Sequence, residues 1–337
     1  MTLAASAPAD VTTARDLRAL PKGHLHLHME AAMRPATLAQ LADGLGIPAP
    51  DTSNFSGFTQ FSQVYRTLLA VLREPAALEL LIDQIFEDQA AQGVVYLELG
   101  VNSTFYSQIY GSDRAALETI VGFARAASAR HDLAFGVMAS IDRTAPIERS
   151  LTIATAAASL AGEGIVSLGL ASDERGFPCS LFAEAFAIAK QAGLRATPHA
   201  GELVGPESVR EAIDVLHADR VQHGVRAIED PALVTELTER GIVLDVCPTS
   251  NVLLDVVTDI ASHPLPRLIE AGVRCSINAD DPLIFGPDIL AEYELCRTTL
   301  GLTDEQLAEC AWTSIDATAA PAQTKAAARA RIDAWLA

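Results

Sequence analysis

The sequence predicts an α/β fold of the (β/α)8 TIM-barrel type, with an extra helical insertion after strand 1 and further helices at the C-terminus. Three observations carry this expectation. Eight short, mostly apolar runs recur along the 337 residues, the segments between them have helical periodicity, and no run reads as the exposed edge of an open sheet. An open doubly wound sheet is the alternative, because periodicity does not report closure.

The runs follow in order: HLHLH (24–28), VVYLELG (94–100), LAFGVMAS (133–140), IVSLGLA (165–171), LRATPHA (194–200), DRVQHG (219–224), GIVLDVC (241–247) and VRCSINA (273–279). Their apolar character implies burial on both faces, as in parallel sheets. Segments 180–193, 206–218 and 231–241 carry helical spacing, and Gly193, Gly241 and Gly272 stand where a helix C-cap precedes the next strand. Residues 55–91 are long for one crossover. Phe55, Phe58, Phe61 and Tyr65 make this stretch either a lid over the barrel mouth or an aromatic helix face packed on the wall. After Pro287 the chain reads as helical to its end, covering the bottom or side of the barrel. Residues 1–13 read as a loose tail, leaving one domain.

Acidic residues outnumber basic ones, 43 to 24, for a formal charge of −19, and no Lys/Arg cluster interrupts them. Such a surface repels phosphate backbones and anionic lipid, so nucleic acid and membranes are excluded as expected partners. Five cysteines without paired short spacing, and a start without an apolar h-region, lead to the expectation of a reduced, cytoplasmic compartment. No run of about 18 apolar residues suggests a membrane span.

In a barrel of this kind chemistry belongs at the C-terminal strand ends. Strand 1 ends in His26, His28 and Glu30, strand 5 in His199 and Glu202, strand 6 in His223, and strand 8 in Asp280 and Asp281. Period 2 points His26 and His28 into the barrel. Together with His199 and Asp280 they make a three-imidazole, one-carboxylate set that suits one Zn²⁺ with a position left for water. His24 is expected on the same face, one step deeper, as a buried polar neighbour. His131, His217 and His263 have no strand-end companion and are expected to face solvent. Glu202 is the candidate proton shuttle, His223 the group that orients the attacking water, and Asp281 an acceptor for a bound heterocycle. Strand 4 ends in Asp173 and Glu174 without a lysine. That favours a mononuclear site over a bridged pair, with Glu174 the residue most able to upset the choice.

The segments PKGHLHLHMEAAMRP, ASDERGFP, PHAGE, DRVQHG, DVCPTSN and INADDP together resemble the signatures of the adenosine deaminase family, over about residues 21–315. The resemblance implies hydrolytic deamination at C6 of an adenine ring, in a small-molecule purine nucleoside, with adenosine the first candidate. It makes His26, His28, His199 and Asp280 the zinc ligands, Glu202 the acid that protonates N1, and His223 the residue that steers the water. Substrate-facing positions are then His28, Glu30 as a ribose contact, Asp281 at N7, and Ser172, which stands where the family usually has a glycine whose N–H meets N3. Two departures concern substrate: Ala31 and Ala32 follow Glu30, and Gly100, Val101, Asn102 and Ser103 replace an Arg-aromatic pattern. Adenine and 5′-modified nucleosides such as aminodeoxyfutalosine are the alternatives. Of other classes, a two-metal ester, amide or lactone hydrolase and a non-catalytic purine-binding barrel stay open.

Overall fold

A computed structural model describes residues 14–337, so the expected tail at 1–13 lies outside the described residues. Eight parallel strands pair in sequence order: β1 (Lys22–His28), β2 (Val94–Val101), β3 (Ala134–Asp142), β4 (Ile165–Ala171), β5 (Arg195–Ala200), β6 (Arg220–His223), β7 (Val243–Val246) and β8 (Arg274–Ile277). The circle closes just beyond β8, where Leu27 pairs with Asp280: His28 N–H donates to the Asp280 carbonyl, and Asp280 N–H donates to that of His26, each at 3.1 Å. This is a (β/α)8 barrel, and closure joins the two strands that carry the most conspicuous polar residues.

Helices α1 (Pro35–Gly44), α2 (Gly57–Leu68) and α3 (Pro75–Ala91) fill the insertion between β1 and β2. The aromatic face expected either as a lid or as wall packing lies on α2, at the mouth. The face of α2 with Phe58, Phe61 and Tyr65 borders the cavity at the barrel mouth, whereas α3 buries Leu78, Leu81, Ile82, Ile85 and Phe86 against the wall. Between the later strands run α4 (Ser107–Tyr110), α5 (Asp113–His131), α6 (Ile147–Ala158), α7 (Ala183–Gln191), α8 (Pro206–Asp214), α9 (Pro231–Arg240) and α11 (Leu265–Glu270), while the short α10 (Pro248–Leu253) and α12 (Pro282–Phe285) lie by the barrel mouth. Local chemistry sets the ends. In α9, Pro231 occupies the first turn, Asp230 accepts from the N–H groups of Ala232 and Leu233, and Gly241 closes the helix at φ 65°. The C-terminal α13 (Ile289–Thr298), α14 (Asp304–Asp316) and α15 (Ala322–Leu336) follow. Ser314 of α14 accepts the Gly23 N–H through its hydroxyl at the start of β1, placing these helices at the barrel bottom. No helix among the described residues is long and apolar enough to cross a membrane.

The barrel interior is layered. At the bottom Leu25, Tyr96 and Ala320 form a small apolar cluster. Above it lies a fully buried ionic layer: Arg220 pairs with Glu98 at 2.6 Å and Asp245 at 2.9 Å, with Ser167 and Ser276 donating to the two carboxylates. Such a layer tolerates no missing partner, since one unpaired buried charge costs about 3–5 kcal/mol. The site rests on top of it.

One expectation about β1 fails. The β1–β2 register shifts between His24 and Leu27, and both the Leu25 and His26 N–H groups donate to Asn278 Oδ1, at 2.8 and 3.1 Å. This bulge interrupts the two-residue alternation. His26 and His28 stay inside, while His24 turns toward α3, where its Nδ1 bonds Gln89 Oε1 at 2.8 Å and its Nε2 accepts the Ala279 N–H. It is buried, as expected, but not on the face of the other two.

Candidate active site

The strand ends bring His26, His28, His199 and Asp280 together, with one ligand atom of each within 4.8 Å of all the others. His26 Nε2 lies 3.1 Å from His199 Nε2 and 3.2 Å from Asp280 Oδ1, and His28 Nε2 lies 3.3 Å from the same oxygen. Metal–ligand bonds of 2.0–2.1 Å in a tetrahedron imply ligand–ligand edges of about 3.3–3.4 Å. Lone pairs packed this closely fit a small divalent cation. The second carboxylate oxygen of Asp280 is already engaged, accepting from Ser250 Oγ at 2.7 Å. Arg143, itself buried, holds the His199 carbonyl at 2.5 Å and so fixes the end of β5.

Glu174 does not join this cluster. One of its oxygens accepts from the N–H of Gly201 (2.8 Å) and from Ser208 Oγ. The other accepts from the N–H groups of Glu202, Leu203 and Val204, at 3.1, 2.8 and 2.9 Å. A carboxylate so saturated organises the loop after β5 and has no lone pair aimed at a metal.

That loop carries Glu202, buried to 4% exposure. Burial, reinforced by the nearby charges of Asp280 and Glu174, pushes its pKa well above the ordinary carboxylate value. Its Oε1 lies 3.5 Å from His223 Nε2. Burial likewise drives the His223 pKa down to about 3, leaving a neutral ring. Asp281 is buried with Oδ1 unpartnered, and burial beside Asp280 raises its pKa well above the usual range. An unsatisfied buried carboxyl oxygen of this kind needs a partner that the protein does not supply.

These groups line a cavity of about 740 Å³, mouth included, together with Ser172, Gly100, Asn102 and the aromatic face of α2. Of the four positions singled out around the end of β2, only Gly100 and Asn102 reach it; Val101 packs in the core, and Ser103 is buried, donating to Asp113. A Cβ on Gly100 would stand 3.0 Å from the Leu27 carbonyl, so glycine permits β2 to pass close behind His28.

Glu30 lines the cavity, yet it is 1% exposed and held from both sides. Tyr65 of α2 donates to one oxygen and Tyr106 to the other, the latter at 2.5 Å. In the sequence Tyr65 stands out only as part of an aromatic face, and Tyr106, three residues beyond the departure at 100–103, does not stand out at all.

Two expectations about histidines are corrected. His263 does not face solvent: it is 3% exposed and bonds Asn251, which in turn bonds His223. His131 is half-buried against Asp83. Only His217 is open to solvent. The signal for His263 lay in its bonded neighbour, the Asn251 of CPTSN.

Residues 21–335 match the model of the family described as Adenosine deaminase. A putative adenosine/adenine deaminase of Streptomyces virginiae is 41% identical over 96% of this chain and 98% of its own. An aminodeoxyfutalosine deaminase of Streptomyces avermitilis is 36% identical over 97% of each. Among solved structures, the adenine deaminase from Arthrobacter aurescens superposes with a TM-score of 0.87 at 28% identity, covering 94% of this chain and 99% of that one. An amidohydrolase from Burkholderia ambifaria, with bound Zn, gives 0.84 at 28% identity, covering 95% and 92%. The chain therefore belongs to the adenosine deaminase family of the amidohydrolase superfamily.

Proposed function

We propose that this chain is a zinc-dependent aminohydrolase that removes the 6-amino group of an adenine ring, releasing ammonia and leaving the 6-oxopurine. The observation that carries the reading is the convergence of four ligand-type side chains with a buried Glu202, a neutral His223 and an unpartnered Asp281 at one end of the barrel.

His26, His28, His199 and Asp280 would hold the ion. When bound, it supplies a water acidified to a nucleophile near neutral pH. The remaining steps belong to the chain itself. Glu202 carries the proton that ring nitrogen N1 takes up as C6 becomes tetrahedral, and its burial favours the protonated form that this step needs. His223 directs Nε2 toward Glu202 and Asp280, where it orients the attacking water. Asp281 pairs its free oxygen with the N7 side of the purine, and the backbone N–H of Ser172 meets N3. The aromatic face of α2 excludes bulk water, which strengthens each of these interactions.

Adenosine is the substrate that the sequence puts first. One observation favours adenine as a second reading: the two tyrosines already occupy both oxygens of Glu30, the residue expected to meet a sugar hydroxyl. The test is ammonia release by metal-loaded enzyme from adenine, adenosine, deoxyadenosine and 5′-modified adenosines, ranked by kcat/KM. Adenine ahead of adenosine by an order of magnitude would select the second reading. No ammonia from any of the panel, or two metal equivalents per chain with esterase or lactonase activity, would overturn both.

A further inference from the structure

We infer that Asn251 and His263 are positioning residues that fix the tautomer of His223, through a hydrogen-bonded chain that can run in only one direction. The inference rests on the reading that His223 orients the attacking water.

The direction is set at the far end. The Leu265 backbone N–H lies 3.1 Å from His263 Nδ1, and a backbone N–H can only donate, so Nδ1 accepts and the ring carries its hydrogen on Nε2. His263 Nε2 then donates to Asn251 Oδ1 at 3.1 Å. That fixes the Asn251 amide: its oxygen faces His263, and its Nδ2 donates to His223 Nδ1 at 3.0 Å. With Nδ1 accepting, the hydrogen of His223 sits on Nε2, which points at Glu202 Oε1 (3.5 Å) and Asp280 Oδ2 (3.7 Å). All three side chains are at most 3% exposed, so no water competes for these bonds. The Asn251 backbone is pinned as well, its carbonyl accepting from the N–H groups of Val256 and Val257. His223 therefore presents a donor to the cavity rather than a lone pair, and the segment from α10 to the start of α11 decides it.

Asn251→Asp tests this with almost no change of shape. A carboxylate accepts from both rings, so His223 must place its hydrogen on Nδ1 and turn a lone pair to the cavity. In ¹⁵N NMR of the metal-loaded enzyme, with the eight histidines assigned by single substitutions, His223 should show the Nε2–H tautomer in the wild type and the Nδ1–H form, or a doubly protonated ring, in the variant. Loss of the correct tautomer should lower kcat by roughly 10²- to 10⁴-fold, as reversing a histidine tautomer does in a serine protease triad, with KM and metal content held within a fewfold. His263→Phe should lose at least about tenfold in kcat, and His263→Gln, which restores a donor to Asn251, should recover most of it. An Nδ1–H tautomer in the wild type, or an Asn251→Asp enzyme with unchanged kcat, overturns the inference. Full activity in His223→Gln alongside an Nε2–H wild-type tautomer would instead remove the proposed role of His223 and leave the chain of bonds standing.

Discussion

Glu174→Gln is the substitution whose consequences follow most directly from the geometry. The carboxylate accepts four backbone N–H groups and one hydroxyl, split three to one oxygen and two to the other. An amide keeps the shape but offers one acceptor. Its oxygen serves best toward Glu202, Leu203 and Val204, leaving NH₂ against the Gly201 N–H and the Ser208 hydroxyl. Ser208 can turn to accept; Gly201 cannot. One orphaned buried N–H costs about 1–3 kcal/mol, and three bonds that lose their charge assistance cost about 1 kcal/mol each. Relief from burying a charge offsets part of this. The expected net loss is about 2–4 kcal/mol, read as a shift in the denaturant midpoint of the metal-loaded protein. Because the same loop carries Glu202, a displacement of about 1 Å should also lower kcat by about 10²-fold, with one metal equivalent retained. Unchanged stability, or loss of a metal equivalent, would refute the assignment of Glu174 as a loop organiser and reinstate it as a ligand.

Other perturbations separate the remaining roles. Glu202→Gln should keep its metal, as measured by elemental analysis, and lose about 10²- to 10⁴-fold in kcat, because the amide has no proton to give. Asn278→Leu removes the acceptor shared by the Leu25 and His26 N–H groups; it should cost about 2–5 kcal/mol in unfolding free energy and weaken metal affinity about 10–100-fold by loosening the strand that carries His26 and His28. Burial raises the Glu292 carboxyl from 4.5 to about 7. The folded protein thus holds a proton that the unfolded chain has released between those values, so stability falls as pH rises through that window and stays low above it. Glu292→Gln should flatten this slope and raise stability at pH 8 by about 3 kcal/mol relative to the wild type, while near pH 4 the two should match; parallel stability–pH curves would dismiss the effect.

What the sequence displayed and what it hid divide along a physical line. Short apolar runs and helix caps are local, and the eight strands were legible because each declares itself within a few residues. The metal-type cluster was legible because a barrel collects strand ends on one rim, so that a His at 26 and an Asp at 280 become neighbours by topology alone. The orientation of His24 was not, because the bulge that turns it depends on an asparagine 253 positions away from Leu25. His263 was hidden in the same way: its loop is polar in sequence but folds back onto Asn251. The Glu98–Arg220–Asp245 layer went unseen because each strand holds only one of its charges amid apolar neighbours.

The backbone explains why the site forms where it does. Six residues other than glycine have positive φ among the described residues, and three of them, Ser172, His223 and Asp280, stand at strand ends and line the cavity, at 78°, 62° and 62°. A left-handed residue there breaks the in–out alternation and swings its side chain over the barrel mouth, at a cost of about 1–3 kcal/mol each. The surroundings hold each against relaxation: Asp280 by the closure bonds to His26 and His28 and by Ser250, His223 by Asn251. Ser172 follows the same logic from the other side. The resemblance puts glycine at its position, and φ 78° is the reason, since only glycine adopts it freely. The serine keeps the backbone course and adds a side chain at the cavity wall, so the departure alters the room available to the substrate and leaves the machinery at the strand ends as it was.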